Sequence, residues 1–411
     1  MPMQLNLAAF AAALLVAAGA MAAEAPPSWV QFADGGALSA RTVVARNAAC
    51  PAVTADGTPV AMQPRGAPDE RFPVKVCEAR LPVTVAKLAI GTAALPTVPA
   101  EIKRVVVLGD TGCRIEGRAV QDCNDPAAWP FRLIAAKAAG QKPDLIVHLG
   151  DYYYREGACP AGRAGCAGSP HGDNWPAWQA EFFVPTGALL SAAPWVMVRG
   201  NHELCRRGGI GWFRLLDPHP LAPACVDRTE PYPLAFGGLS LLLFDSAEAD
   251  DFLAPPDKVA FYGGQLAKLL DNAPPHSWLV THRPFWALAG GELTGMALNL
   301  TEQQAVRDKV PPGLDVMMAG HLHNFAALAF GPERPAQLIV GTGGDTLLDL
   351  ARTPLAGAEI DGIPIVKGFA LKTFGYFVLD RTADGWEGVL RAVDDTILAH
   401  CRLSGRDLEC R

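Results

Sequence analysis

The chain has 411 residues, half of them hydrophobic and about a fifth charged, which excludes global disorder and suffices for one large α/β domain with a smaller companion. Net charge is −7, from 35 basic and 42 acidic residues with no long run of either sign. That mild acidity argues against nucleic-acid or anionic-membrane binding as the main task, so an anionic ligand would need metal ions or a few local arginines.

Leu5 to Ala20 is almost wholly apolar, and Ala20-Met21-Ala22 before Ala23-Glu24 offers small residues at a cleavage site, so residues 1–23 read as a signal peptide. The apolar run is short and Ala-rich for a membrane span, and no stable membrane insertion is expected once it is removed. Ten cysteines follow in sequence-local pairs, Cys50/Cys77, Cys113/Cys123, Cys159/Cys166, Cys205/Cys225 and Cys401/Cys410, with no CxxC among them. An even count behind a signal suggests disulfides and a periplasmic or secreted location. Sequence does not fix their connectivity; nearest-neighbour pairing is one arrangement among many.

Residues 24–100 carry short β-prone runs, such as Arg41-Thr-Val-Val-Ala45 and Leu81-Pro-Val-Thr-Val-Ala86, separated by turns such as Ala55-Asp-Gly57. They are expected to form a small N-terminal β domain without catalytic residue types. Residues 101–411 follow a different pattern, in which strand-like runs alternate with helices such as Phe131–Ala139 and Phe261–Leu270. The fold class expected is α/β, a two-sheet β-sandwich core flanked by helices.

Five of these strand-like runs end in polar clusters: Gly109-Asp110-Thr-Gly112, Gly150-Asp151-Tyr-Tyr-Tyr154, Gly200-Asn201-His202-Glu203, Thr281-His282 and Gly320-His321-Leu-His323. In open α/β sheets, ligands gather at the carboxyl ends of strands. Carboxylate, imidazole and amide oxygen are the donors that hard or borderline cations take, and a shared carboxylate can hold two ions close together. Singly, each cluster is more simply a turn or cap; the ordered set of five points to a two-metal hydrolytic centre.

The ordered set resembles the calcineurin-like metallophosphoesterases from about Val105 to Asp345. Most members begin with Asp-x-His, but here Gly112 stands in the His place. Purple acid phosphatases share that change and recover a ligand as the Tyr of Gly-Asp-x-x-Tyr, which Tyr154 matches. The resemblance implies that Asp151 bridges two metals. Asp110, Tyr154 and His323 would complete a ferric-like site, and Asn201, His282 and His321 would hold a divalent Zn, Mn or Fe. It implies hydrolysis of a small-molecule phosphate ester, a monoester before a diester, by attack of metal-bound hydroxide on phosphorus. A catalytically silent metal or phosphate binder is the rival reading.

His202 is the candidate acid for the leaving group, with Glu203 beside it to orient it. Arg283 and Arg155 are candidate phosphate contacts. The family's usual Gly-His-x-His-x-Tyr ending is absent, since Asn324-Phe325-Ala326 follows His323. His148 is expected in the core or behind the ligands, one of Tyr152 and Tyr153 in the pocket, and Cys159–Trp175 at its rim.

Overall fold

The computed structural model describes residues 26–291, 295–307, 310–350 and 354–411. The expected signal peptide lies outside the described residues. Two large sheets face each other. In one, eleven strands run in the spatial order Asp407–Cys410, Ile397–Ser404, Gly385–Ala392, Gly375–Thr382, Arg104–Leu108, Leu145–His148, Trp195–Met197, Ser28–Phe32, Leu38–Ala45, Val74–Leu81 and Gln63–Pro64. In the other, seven strands run Tyr232–Phe236, Leu239–Leu243, Ser277–Val280, Leu314–Ala319, Ala336–Val340, Phe325–Ala329 and Lys367–Leu371.

Side-chain alternation along each strand makes the sandwich. Val105, Val107, Leu145 and Val147 face Leu241, Leu243, Val280 and Met318 in the shared core. Their neighbours Val106, Leu108 and Ile146 point outward, where Phe131, Ile134 and Ala138 of the Phe131–Gly140 helix cover them. On the opposite face Leu242, Leu279 and Met317 pack under Tyr262, Leu266 and Leu269 of the Pro256–Leu270 helix. Both helices fall where the apolar spacing placed them.

The centre of each sheet is parallel. Arg104–Leu108, Leu145–His148 and Trp195–Met197 pair in parallel in one sheet, as do Leu239–Leu243, Ser277–Val280, Leu314–Ala319 and Ala336–Val340 in the other. Their carboxyl ends therefore emerge together, and each polar cluster begins there.

The N-terminal β region is present, and its strands divide between two sheets. Ser28–Phe32 lies beside Trp195–Met197 and continues the eleven-stranded sheet through Leu38–Ala45 and Val74–Leu81. Ala52–Ala55, Thr58–Ala61, Leu88–Ile90 and Ala93–Leu95 form a four-stranded sheet of their own. Strand-like patterning carries no mark of which partner a strand takes, so this division is invisible in sequence. Arg41 and Arg65 fasten the continuation: both guanidiniums bind Glu78 and donate to backbone carbonyls at Leu215, Asp217 and Phe213. All ten cysteines form disulfides in the nearest-neighbour arrangement. No helix among the described residues is long and apolar enough to cross a membrane.

Candidate metal centre

The ligand loops are interlocked through their backbones. Asp110 N–H donates to Gly150 O and Thr111 N–H to Asp151 O, each at 3.0 Å, while Gly320 N–H donates to His282 O at 3.0 Å. Asp110, Asp151 and His321 all have left-handed φ, at 57°, 58° and 69°. Residues other than glycine hold that conformation at a cost of order 1–3 kcal/mol, and such strain clusters at functional sites. Close approach explains two glycines: a Cβ on Gly150 would lie 2.6 Å from His282 Nδ1, and one on Gly200 would lie 2.0 Å from Asp151 Oδ1.

These turns bring donors from five separate segments together. Tyr154 Oη donates to Asp151 Oδ2 at 2.9 Å and Asp110 Oδ1 at 3.2 Å, and lies 3.0 Å from His323 Nε2. On the other side of Asp151, His282 Nε2 is 3.2 Å from Oδ2, and 3.0 Å from Asn201 Oδ1. One donor atom from each of Asp151, His282 and His321 falls within a 4.8 Å group, and so does one from each of Asp110, Asp151 and His323. Asp151 is common to both groups. The outer nitrogens of two imidazoles are already engaged: His282 Nδ1 meets Leu149 O at 2.7 Å and His323 Nδ1 meets Thr346 O at 2.8 Å. Donation there fixes the tautomer and leaves Nε2 toward the centre, as metal-binding histidines require. By donor type, convergence and tautomer, these residues fit a pair of cations.

The electrostatics agree. Burial acts to raise the Asp151 carboxyl, but His282 and His202 outweigh it and hold it well below the usual carboxylate range. Burial opposes charge on His282 and on His323, yet Asp151 raises the first and Asp345 with Asp110 the second, each to about 9. Burial drives the Tyr154 phenol well upward, with Asp151 and Asp110 adding to it. A cation would reverse the sign for that phenol and compete for the imidazole protons.

Two buried glutamates hold the backbone between Gly150 and Glu156. Glu203 accepts from the N–H groups of Asp151, Tyr152, Tyr153 and Gly200 at 2.9–3.1 Å. It does not orient His202, the role expected of it. Glu181 accepts from Cys113, Tyr154 and Arg155 at 2.7–3.2 Å. It lies in a single π-turn, Gln179–Phe183, a form frequent at functional sites. Its place in the sequence, far from every strand-end cluster, gives no sign of this role.

His202 packs at a tilt of 41° against Tyr154, ring centroids 3.8 Å apart, with Nε2 4.0 Å from Asp151 Oδ2. Burial keeps this imidazole well below its ordinary pKa, against the pull of Asp151. The residue beside its other nitrogen is Glu156, whose Oε1 lies 2.7 Å from Nδ1 but at an angle unsuited to a hydrogen bond. Beyond it runs a chain of charges: Glu156 to Arg207 at 2.6 Å, Arg207 to Glu116 at 3.1 Å, Glu116 to Arg114 at 3.0 Å, Arg114 to Asp345 at 2.5 Å, and Asp345 to His323 at 3.4 Å.

The two expected phosphate arginines stand elsewhere. Arg155 is buried with its guanidinium over Trp129 and 4.0 Å from Glu181, because Glu181 draws its backbone inward. Arg283 binds Asp251 and lies 2.8 Å from His321 Nε2, which is itself 2.9 Å from Asp251, so it braces an imidazole. Arg114 and Arg207 are the cations that line the open cavity of about 920 Å³ over the centre. Tyr152 and Tyr153 are both buried, against His148 and Trp178, and neither lines the cavity. No residue of Cys159–Trp175 lines it either. His148 sits behind the ligands, its Nε2 3.0 Å from Thr111 Oγ1.

A family model for calcineurin-like phosphoesterases matches residues 103–325. Among solved structures, a purple acid phosphatase, PPD1, from yellow lupin (Lupinus luteus) seeds superposes with a TM-score of 0.59 at 15% identity, over 94% of this chain and 73% of that one. PhoD superposes with a TM-score of 0.55 at 14% identity, over 94% of this chain and 91% of that one. At such identities the likeness is one of fold. No curated protein matches the chain.

Proposed function

The chain belongs to the calcineurin-like phosphoesterase family, and on that footing we propose that it hydrolyses phosphate monoesters with a dinuclear centre of Fe(III) and a divalent Zn, Mn or Fe ion. The observation that carries this reading is the place of Asp151, whose Oδ2 lies within 3.2 Å of both Tyr154 Oη and His282 Nε2. In this reading Asp110, Tyr154 and His323 join Asp151 around one ion, and Asn201, His282 and His321 around the other. A Tyr154 phenolate would favour Fe(III), being a hard anionic donor. The disulfides support a periplasmic or secreted setting.

When bound, the two cations would acidify a water, polarise the phosphoryl oxygens and offset developing charge. The chain's own residues do the rest. Glu203 and Glu181 keep the Asp151–Arg155 backbone fixed, so the ligand side chains are set before substrate arrives. His202 lines the cavity with its Nε2 4.0 Å from Asp151 Oδ2, and in this reading it supplies the proton that a leaving alkoxide takes. Arg114 and Arg207 are the guanidiniums within reach of a phosphate in the cavity.

Phosphodiester hydrolysis at the same centre is the second reading, favoured by a cavity of about 920 Å³, wide enough for a second organic group. Metal analysis, a visible spectrum and turnover of aryl phosphate mono- and diesters test the proposal together. It expects two metals per chain, a tyrosinate–iron band lost in Tyr154→Phe, and the monoester turned over faster. Faster diester turnover would replace the monoester reading. An iron-loaded protein without the band would remove Tyr154 from the ligand set.

A further inference from the structure

The remainder of the cavity bears on what is attached to the phosphate. Eight large hydrophobic side chains are appreciably exposed among the described residues. Two of them, Phe252 and Leu348, line this cavity at 38% and 42% exposure. Two more, Leu253 and Met296, belong to the same short segments as lining residues Phe252 and Leu298. Soluble chains rarely gather exposed apolar side chains in one place without a ligand to cover them. Phe252 and Leu348 are thus the exposed apolar side chains of the lining, which also includes the buried Leu298 and Leu322 together with His321 and His323.

Among the described residues that line the cavity, both arginines are already paired. Arg114 is held by Asp345 and Glu116, and Arg207 by Glu116 and Glu156, at 2.5–3.1 Å. A second phosphate or a carboxylate on the substrate would have to break an existing pair and leave a carboxylate uncompensated. A sugar would leave Phe252 and Leu348 uncovered and forgo the apolar burial they offer.

Resting on the phosphoesterase reading, we infer that the cavity selects phosphate esters whose organic group is apolar and bulky, an aryl or medium-chain alkyl group lying against Phe252 and Leu348. Each methylene moved from water onto such side chains is worth up to about fourfold in affinity.

The test uses the metal-loaded full chain and a series of n-alkyl phosphates from ethyl to hexyl, whose leaving alkoxides are nearly alike, with ribose 5-phosphate for comparison. We expect kcat/KM to rise at least about tenfold from ethyl to hexyl, with ribose 5-phosphate near or below ethyl. The double substitution Phe252→Ser with Leu348→Ser should bring the hexyl-to-ethyl ratio close to one. A flat series, or ribose 5-phosphate equal to hexyl phosphate, overturns the inference while leaving the hydrolase reading in place. Calorimetric binding of hexylphosphonate and ethylphosphonate gives a readout without turnover. If no ester reacts but hexylphosphonate binds at least about tenfold tighter, and the double substitution abolishes that preference, the apolar selectivity stands and the hydrolase reading falls. Equal binding of the two phosphonates overturns the inference.

Discussion

A Cβ on Gly112 would lie 2.5 Å from Cδ2 of Tyr154 and 2.7 Å from Oε1 of Glu181. A side chain at position 112, such as the histidine of an Asp-x-His sequence, would therefore crowd Tyr154 in its present place. We expect Gly112→Ala to destabilise the metal-free chain by about 1–3 kcal/mol, as overpacking in a buried site does. In a Tyr154→Ala background the part of that penalty due to the ring should vanish, while the approach to Glu181 Oε1 at 2.7 Å and Tyr152 O at 3.0 Å remains. Denaturant unfolding of the four members of the cycle measures the coupling, and strictly additive effects would refute the clash.

Glu156 provides a separate handle on proton transfer. Its Oε1 lies 2.7 Å from His202 Nδ1, and Arg207 binds the same oxygen at 2.6 Å. Glu156→Gln keeps the shape and removes the charge, so kcat for alkyl phosphates should fall on the order of tenfold, with His202→Ala costing about 10²-fold. Aryl phosphates with acidic leaving groups need little protonation and should be nearly unaffected by either change. Equal slowing of both substrate types would mean that Glu156 merely supports the loop.

The ligand loops are also tied covalently. Cys205 follows His202 by three residues and pairs with Cys225, while Cys113 follows Asp110 by three and pairs with Cys123. Replacing Cys205 and Cys225 by alanine opens a loop of 20 residues, which on chain-entropy grounds costs about 3 kcal/mol. We expect a lower melting temperature and weaker retention of metal during dialysis against chelator. Replacing Cys401 and Cys410, on the C-terminal hairpin, should lower stability without changing metal retention. Equal metal loss in both variants would sink this local account.

What was legible in the sequence has a common physical source. The convergence of Asp110, Asp151, Asn201, His282, His321 and His323 was readable because each ends or closely follows an apolar strand, and parallel strands deliver their ends to one edge. The residues that hold these side chains in place left no such mark. Glu181 comes from a π-turn, Glu156 and Arg207 from loops, and Asp251 from the turn after the Leu239–Leu243 strand. Their roles depend on side-chain direction at long sequence separation. Arg155 and Arg283 misled for the converse reason: adjacency in sequence to Tyr154 and His282 says nothing of which way a long side chain points. The split of the N-terminal strands between two sheets was hidden because pairing partners are chosen by register, which patterning alone does not encode.

Part of the acid sensitivity should arise far from the centre, at Glu78. Burial acts to raise its carboxyl, but Arg41 and then Arg65 outweigh it and bring the pKa down from 4.5 to about 2. A carboxyl held lower in the folded chain than in the unfolded one stabilises fully above the unfolded value. That contribution is lost as pH falls from about 4.5 toward 2, and it is worth on the order of 2–3 kcal/mol. Glu78→Gln should remove this acid-side slope from unfolding curves. It should also cost about 3 kcal/mol or more at neutral pH, since Arg41 and Arg65 would stay buried without their shared partner. The same two arginines grip the carbonyls of Phe213, Leu215 and Asp217, at the end of the Gly209–Leu215 helix that follows the Asn201–Glu203 loop. Loosening them should therefore reach the ligand loop, and metal affinity should weaken alongside stability. Unchanged metal affinity in a folded Glu78→Gln protein would show that the N-terminal strands support the fold without bearing on the centre.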